Sequence, residues 1–163
     1  MESKPAQLTK ASTEASRYHY IECGLPNVWL ANGFKRVKTK YGEGIAIDSV
    51  QNLHRVIADI LVFKKPKLTG REFRFLRKEL ELSQRIAGVL VGATDQTVSL
   101  WERETQELPD HADRSIRYVY MNERDPKSKI REVVKKLQEI DTQERKLLIA
   151  QKSGKWLAKA ANF

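Results

Sequence analysis

Apolar positions along this chain change their spacing in step with its turn-forming residues. Short aromatic or β-branched runs at 18–22, 28–30, 34–37 and 45–47 are separated by Gly24, Pro26-Asn27, Asn32-Gly33 and Gly42-Glu43-Gly44. That punctuation predicts a small antiparallel sheet. At Asp48 or Ser49 the period lengthens. Val50, Leu53, Ile57, Ile60 and Leu61 recur at helical spacing, predicting an amphipathic helix that ends near Lys64-Lys65-Pro66. A second helix opens on a capping box, Thr69-Gly70-Arg71-Glu72, in which the glutamate reaches back to the threonine backbone. Phe73, Leu76 and Leu80 then make one buried face and leave Arg71, Arg74, Arg77 and Lys78 largely outward.

Between Leu82 and Arg103 the pattern tightens into two short helices around a turn. Ser83 is a fitting N-cap, because its hydroxyl can accept from the unbonded N–H groups of the first turn. Gln84 follows at the helix N-terminus, where a side-chain amide and backbone donors can meet a phosphate. Ala87 and Gly88 are small enough for helices to approach closely, and Gly92 can take the positive φ of a sharp turn. Thr94 caps the next helix, in which Val98 and Trp101 face inward while Asp95, Gln96, Ser99 and Leu100 lie outward. Ile86 and Val89 make the first helix of the pair apolar all round. That implies either burial on a second side, by the N-terminal segment or a second subunit, or a shifted helix register. Farther on, Pro109-Asp110 opens a helix whose Ile116, Val119 and Tyr120 close the core.

The run Leu82-Ser83-Gln84, a short apolar helix, Gly92, then a polar helix ending in Trp101-Glu102 resembles the phage-repressor (Xre) class of helix-turn-helix proteins without a gap from Leu82 to Arg103. The resemblance implies a lambda-repressor-like all-α domain that binds double-stranded DNA as a homodimer on a palindromic site. It implies phosphate contacts for Gln84, Thr94 and Thr105, and base-edge contacts for Gln96, Thr97, Ser99 and Leu100, with Arg85, Asp95 and Arg103 in the same DNA-binding set. Glutamine can bond adenine bidentately, while leucine and the threonine methyl suit the thymine methyl. Two departures alter what such a helix would read. Position 100 often carries a base-reading Arg or Gln in such proteins and is apolar here. Asp95 is unfavourable near phosphate but suits the helix dipole or a cytosine amino group.

Composition narrows the field. The 163 residues fit one compact domain or two small ones, and a net charge of +9 with a pI near 9.7 favours a polyanionic partner. The single cysteine, Cys23, rules out an intrachain disulfide framework and suits a reducing cytoplasm. No apolar run approaches a membrane span. No Gly-rich phosphate loop, HExxH or nucleophile–base pair points to an enzyme, and no cofactor is expected. Glu102 and Arg103 read as a cap or salt bridge within the fold.

The expected organisation is α+β: a disordered arm at 1–17, a small β-module with its helix at 18–65, the helix-turn-helix domain at 66–125, and a C-terminal extension at 126–163. A β-rich module ahead of a repressor-like domain resembles antitoxin regulators of the MqsA type, whose sheet holds structural zinc through two CxxC pairs. Here only Cys23-Gly24 stands where such a pair would end, and His19, Cys23, His54 and His111 show no spacing that assembles a four-ligand site. No metal is expected. The β-module then has three candidate uses: binding a toxin or other protein partner, binding a small effector, or buttressing the DNA-binding domain. Its Tyr18, Tyr20, Trp29 and Phe34 read as core rather than as a partner surface. In the extension, Ile130, Val133, Val134, Leu137 and Ile140 form a helical stripe suited to dimerisation or to packing back on its own domain. The tail around Ser153-Gly154 reads as a β-hairpin, with a continuous helix as the competing form. Function follows as transcriptional regulation, by repression, with an autoregulating antitoxin as the alternative.

Overall fold

In the computed structural model three helices begin where a small hydroxyl side chain, Thr69, Ser83 or Thr94, caps the first turn, and a fourth opens on Pro109 without a side-chain cap. The structure describes residues 17–63, 66–125, 127, 129, 132, 135, 148–153 and 155–159. The elements are β1 (Tyr18–His19), β2 (Trp29–Leu30), β3 (Phe34–Thr39), β4 (Gly42–Ile47), α1 (Val50–Phe63), α2 (Gly70–Glu79), α3 (Gln84–Val91), α4 (Asp95–Glu102), α5 (Asp110–Glu123), β5 (Leu148–Lys152) and β6 (Lys155–Lys159). The architecture is α+β, as expected. The α2 capping box is complete: Thr69 Oγ1 accepts from Glu72 N at 3.2 Å, and Glu72 Oε2 accepts from Thr69 N at 2.8 Å.

The β-rich part differs from a single sheet. It consists of separate two-stranded antiparallel ladders, β1 with β2 and β3 with β4. In the second, the register runs from Phe34 opposite Ile47 to Thr39 opposite Gly42. Gly42-Glu43-Gly44, expected as a turn, therefore lies within β4. The chain reverses earlier, at Lys40-Tyr41, because Thr39 Oγ1 donates to Gly42 O at 2.9 Å and accepts from Tyr41 N at 3.2 Å. Both bonds tighten the turn ahead of the glycines.

Tyr20, Leu25 and Leu30 from the β-rich part join the same apolar core as Ile57, Ala58, Leu61 and Val62 of α1 and Phe73, Phe75 and Leu76 of α2. The α1 stripe is rotated from its expected setting. Ile60 is 63 % and Val50 40 % exposed, while Ala58 and Val62 are buried. Residues 60–63 are apolar without interruption, so the helix had more than one face it could turn inward. Aromatic burial is also uneven. Tyr20 is core, Tyr18 and Phe34 are half-buried with ring centroids 5.4 Å apart, and Trp29 is exposed, stacked on His19 at 4.1 Å.

Polar links tie the layers together. Tyr20 Oη and His54 Nε2 are 2.8 Å apart, and His54 Nδ1 lies 2.8 Å from Glu79 Oε1, a chain that joins the β-rich part to α1 and α2. Arg117 of α5 donates to Asp113 Oδ1 at 3.0 Å, to Val62 O at 3.2 Å and to Pro66 O at 2.8 Å, tying α5 to the last turn of α1 and to the connection that follows it. At the C-terminal end, β5 and β6 pair from Leu148 opposite Lys159 to Lys152 opposite Lys155, so the tail takes the hairpin form rather than the helix. The stripe of Ile130, Val133, Val134, Leu137 and Ile140, and the arm at 1–16, lie outside the described residues.

Candidate nucleic-acid interface

α3 and α4 form the two-helix unit read from the sequence. Ser83 Oγ accepts from Ile86 N at 3.1 Å, and Gly92 closes α3 at φ 72°, a left-handed conformation that favours glycine. Thr94 Oγ1 accepts from Thr97 N at 3.1 Å and starts α4. Gly88 serves the close approach inferred for it, since a Cβ there would lie 2.4 Å from Ala93 O in the interhelix turn. Gly70 has a tighter reason to be glycine: its Cβ would lie 1.8 Å from Trp101 O at the end of α4. The register of α3 is the unshifted one, with Ala87, Gly88 and Val91 buried. Ile86 packs half-buried against the core, whereas Val89 is 57 % exposed, so burial on a second side does not occur among the described residues.

The inner side of α4 is anchored by apolar and ionic contacts. Val98 and Trp101 are core residues, and Trp101 meets Phe73 edge to face at 6.1 Å. Glu102 is held by Arg77, whose Nε donates to Oε1 at 2.5 Å and whose Nη2 donates to Oε2 at 3.0 Å. A third donor of the same guanidinium, Nη1, bonds Leu82 O at 2.7 Å. Arg77, expected on the outside of α2, is therefore a core residue, and its side chain is 10 % exposed against 2 % for Glu102. The reason is the carboxylate four positions beyond Val98, which the planar guanidinium fork matches in bidentate fashion. That pairing is legible only in half from the sequence: Glu102 reads as internal, but its partner sits in a run of cations that looks like a solvated face.

The outer side of α4 carries the expected row. Asp95, Gln96, Leu100 and Arg103 are exposed, and Thr97 and Ser99 are half-buried between them. Asp95 Oδ1 accepts from Gln96 N at 2.8 Å, which engages its charge at the positive end of the helix. Thr94 and Thr97 share a hydroxyl hydrogen bond of 2.9 Å. Arg103 Nε donates to Ser99 O at 3.3 Å and Thr105 Oγ1 to Leu100 O at 3.1 Å, so the loop after α4 folds back on it. Gln84 is committed inward, its Nε2 donating to Glu102 Oε2 at 2.8 Å, and its neighbour Arg85 is exposed. Gln84 is thus a strut between α3 and α4, and an anion at the start of α3 would meet its remaining amide oxygen unfavourably. Arg85 and the backbone donors are better placed for one.

Beyond Arg103 the surface continues into a cleft of about 530 Å³, lined by Arg71, Arg74 and Lys78 of α2 and by Glu22, Cys23 and Gly24. Arg71 faces Glu104 at 3.6 Å. On the opposite rim, the hydrogen bond from Tyr18 holds the Glu22 carboxyl below its usual range, and burial pushes the Cys23 thiol up. The spacing of Arg71, Arg74 and Lys78 marks one cationic helix face in the sequence; their position beside the end of α4 is set by the fold alone. Among the described residues, no group of three or more His, Cys, Asp or Glu is placed to hold a metal, and no helix is long and apolar enough to cross a membrane. No protein-family model matches the chain, and no curated protein or solved structure matches it either.

Proposed function

We propose that this protein is a sequence-specific DNA-binding transcriptional regulator that inserts α4 into the major groove and acts, as a homodimer on a palindromic site, by covering a promoter. One observation carries the reading. α4 is fixed from behind by Val98, Trp101 and the Arg77–Glu102 pair, while Asp95, Gln96, Thr97, Ser99 and Leu100 are left on its outer side. Rigid support with small polar and apolar tips is what base-edge readout needs, because side chains must meet donors and acceptors whose positions are set by the duplex. The exposed Arg85 and Arg103, with the cationic cleft beyond, supply backbone-neutralising charge in keeping with the +9 net charge. A two-fold dimer would set two copies of α4 about 34 Å apart, one helical turn of DNA. A cytoplasmic location follows from the same reading.

The test begins with a site selected from a random duplex pool. Binding should weaken steeply with salt, and Gln96→Ala or Ser99→Ala should each cost about 1–3 kcal/mol on that site while leaving random DNA little changed. Gln84→Ala should weaken both alike, because it loosens the support of α4 rather than a base contact. Variants at 96 and 99 that bind the selected site like the parent would sink the recognition-helix assignment.

A further inference from the structure

A role for α4 in DNA binding leaves the β3–β4 ribbon unexplained. Only its base packs on the core, through Phe34 and Ile47, and residues 35–43 are all exposed, with Tyr41 at the tip fully so. This exposed stretch carries Lys35, Arg36, Lys38 and Lys40 against one carboxylate, Glu43. None of the ion pairs among the described residues involves these cations. Edge strands commonly carry lysine to discourage pairing with other chains. Register places Arg36 and Lys38 on the face shared with Phe34 and Ile47, so that need leaves the opposite face, which carries Lys35, unaccounted for. There, register places Gly42, Gly44 and Ala46 of β4 beside Lys35, Val37 and Thr39 of β3. Gly42 needs its glycine, at φ 124°. Gly44 does not: its φ is ordinary, and a Cβ would meet only Val37 Cγ2, at a comfortable 3.6 Å. A glycine inside a strand weakens it and marks a place where another backbone comes close.

We propose that this ribbon is a second DNA-contacting element, in which the unpaired cations grip duplex phosphates from both faces, Lys35 on one and Arg36 and Lys38 on the other, and the Gly42–Gly44–Ala46 face beside Lys35 lets the sugar-phosphate backbone lie against the strand. The proposal rests on the DNA-binding reading of α4 and extends the contact surface to the N-terminal part of the chain. The excess of positive charge selects a polyanion. Duplex rather than single-stranded nucleic acid is favoured because Tyr41 is the only aromatic side chain at the exposed end, whereas single strands are held by successive stacking platforms. A two-stranded ribbon is also narrow enough to enter a major groove.

The test uses the full chain and three proteins: a Lys35→Ala/Lys38→Ala/Lys40→Ala triple variant, Gly44→Val, and Gln96→Ala/Ser99→Ala. Each is titrated by fluorescence anisotropy against a random-sequence duplex, the selected site and a random-sequence single-stranded RNA, across a potassium chloride series. Melting temperatures serve as the folding control, and Gly44→Val should hold or raise its own. The triple variant should bind both duplexes roughly tenfold or more weakly, with a log–log salt slope flatter by about 0.9 for each phosphate no longer neutralised. Gly44→Val should bind several-fold more weakly with the slope nearly unchanged. If both ribbon variants bind like the parent while Gln96→Ala/Ser99→Ala loses the selected site, the ribbon proposal is wrong and the α4 reading stands. The reverse pattern overturns the α4 reading and keeps the ribbon. A ribbon effect seen with a single-stranded RNA and absent with duplex DNA overturns the choice of partner.

Discussion

Replacing Glu102 by glutamine probes directly how α4 is held. The carboxylate accepts two hydrogen bonds from Arg77, at 2.5 and 3.0 Å, and one from Gln84 at 2.8 Å, with the Glu102 side chain 2 % exposed. Glutamine preserves the shape but exchanges one acceptor oxygen for a donor. That donor must then face a donor of Arg77 or of Gln84, and the guanidinium, 10 % exposed, is left buried without a counter-charge. Breaking a buried pair from one side costs about 3–5 kcal/mol, whereas an exposed pair contributes at most about 1. Arg77→Met should cost a similar amount for the opposite reason. The Arg77→Met/Glu102→Gln double variant should cost much less than the two singles summed, because no charge is left stranded. Urea unfolding followed by the fluorescence of buried Trp101 measures all four stabilities. Either single variant costing under about 1 kcal/mol would mean that water screens the pair. Simple additivity in the double variant would mean that the two groups do not act through each other. Either result refutes the claim that this pair locks α4 to α2.

Glycine substitutions should separate steric need from mere presence. Gly70→Ala drives a Cβ to 1.8 Å from Trp101 O and Gly88→Ala to 2.4 Å from Ala93 O, so each should lose about 1–3 kcal/mol or more in urea unfolding, Gly70→Ala the most. Stability at alkaline pH should depend on Tyr120. Burial lifts its phenol above the ordinary 10.0, outweighing the nearby Arg124, because the phenolate would lose its hydration. A phenol whose folded pKa is raised contributes stability that is complete below the unfolded value and is lost as pH rises through the folded one. The parent should therefore lose stability above about pH 10, and Tyr120→Phe should lose less over the same interval; equal losses in urea midpoints would exclude this cause.

What can be read in advance follows from how local the cause is. The caps at Thr69, Ser83 and Thr94 and the turn at Gly92 are legible because donor, acceptor and backbone constraint lie within four residues of one another. The buried sides of α2 and α4 are legible because a 3.6-residue period selects one face. Arg77 is not, because the carboxylate that draws it inward is 25 positions away and nothing local separates it from Arg74 or Lys78. The rotation of α1 is hidden for the opposite reason: its surplus of apolar residues fits several faces, and packing against α2 and α5 selects among them. Gly42-Glu43-Gly44 misleads because glycine marks turns and strand interiors alike, and only the hydroxyl of Thr39 decides where the chain reverses. Of the candidate site, the outward row on α4 is readable from the period alone. Its rigidity is not, since that depends on a guanidinium from another helix and on an amide, that of Gln84, which the sequence points toward phosphate. The residue types that make a good phosphate contact, long and polar and placed at a helix start, also make a good internal strut; the choice lies with whichever charge is nearest once the chain has folded.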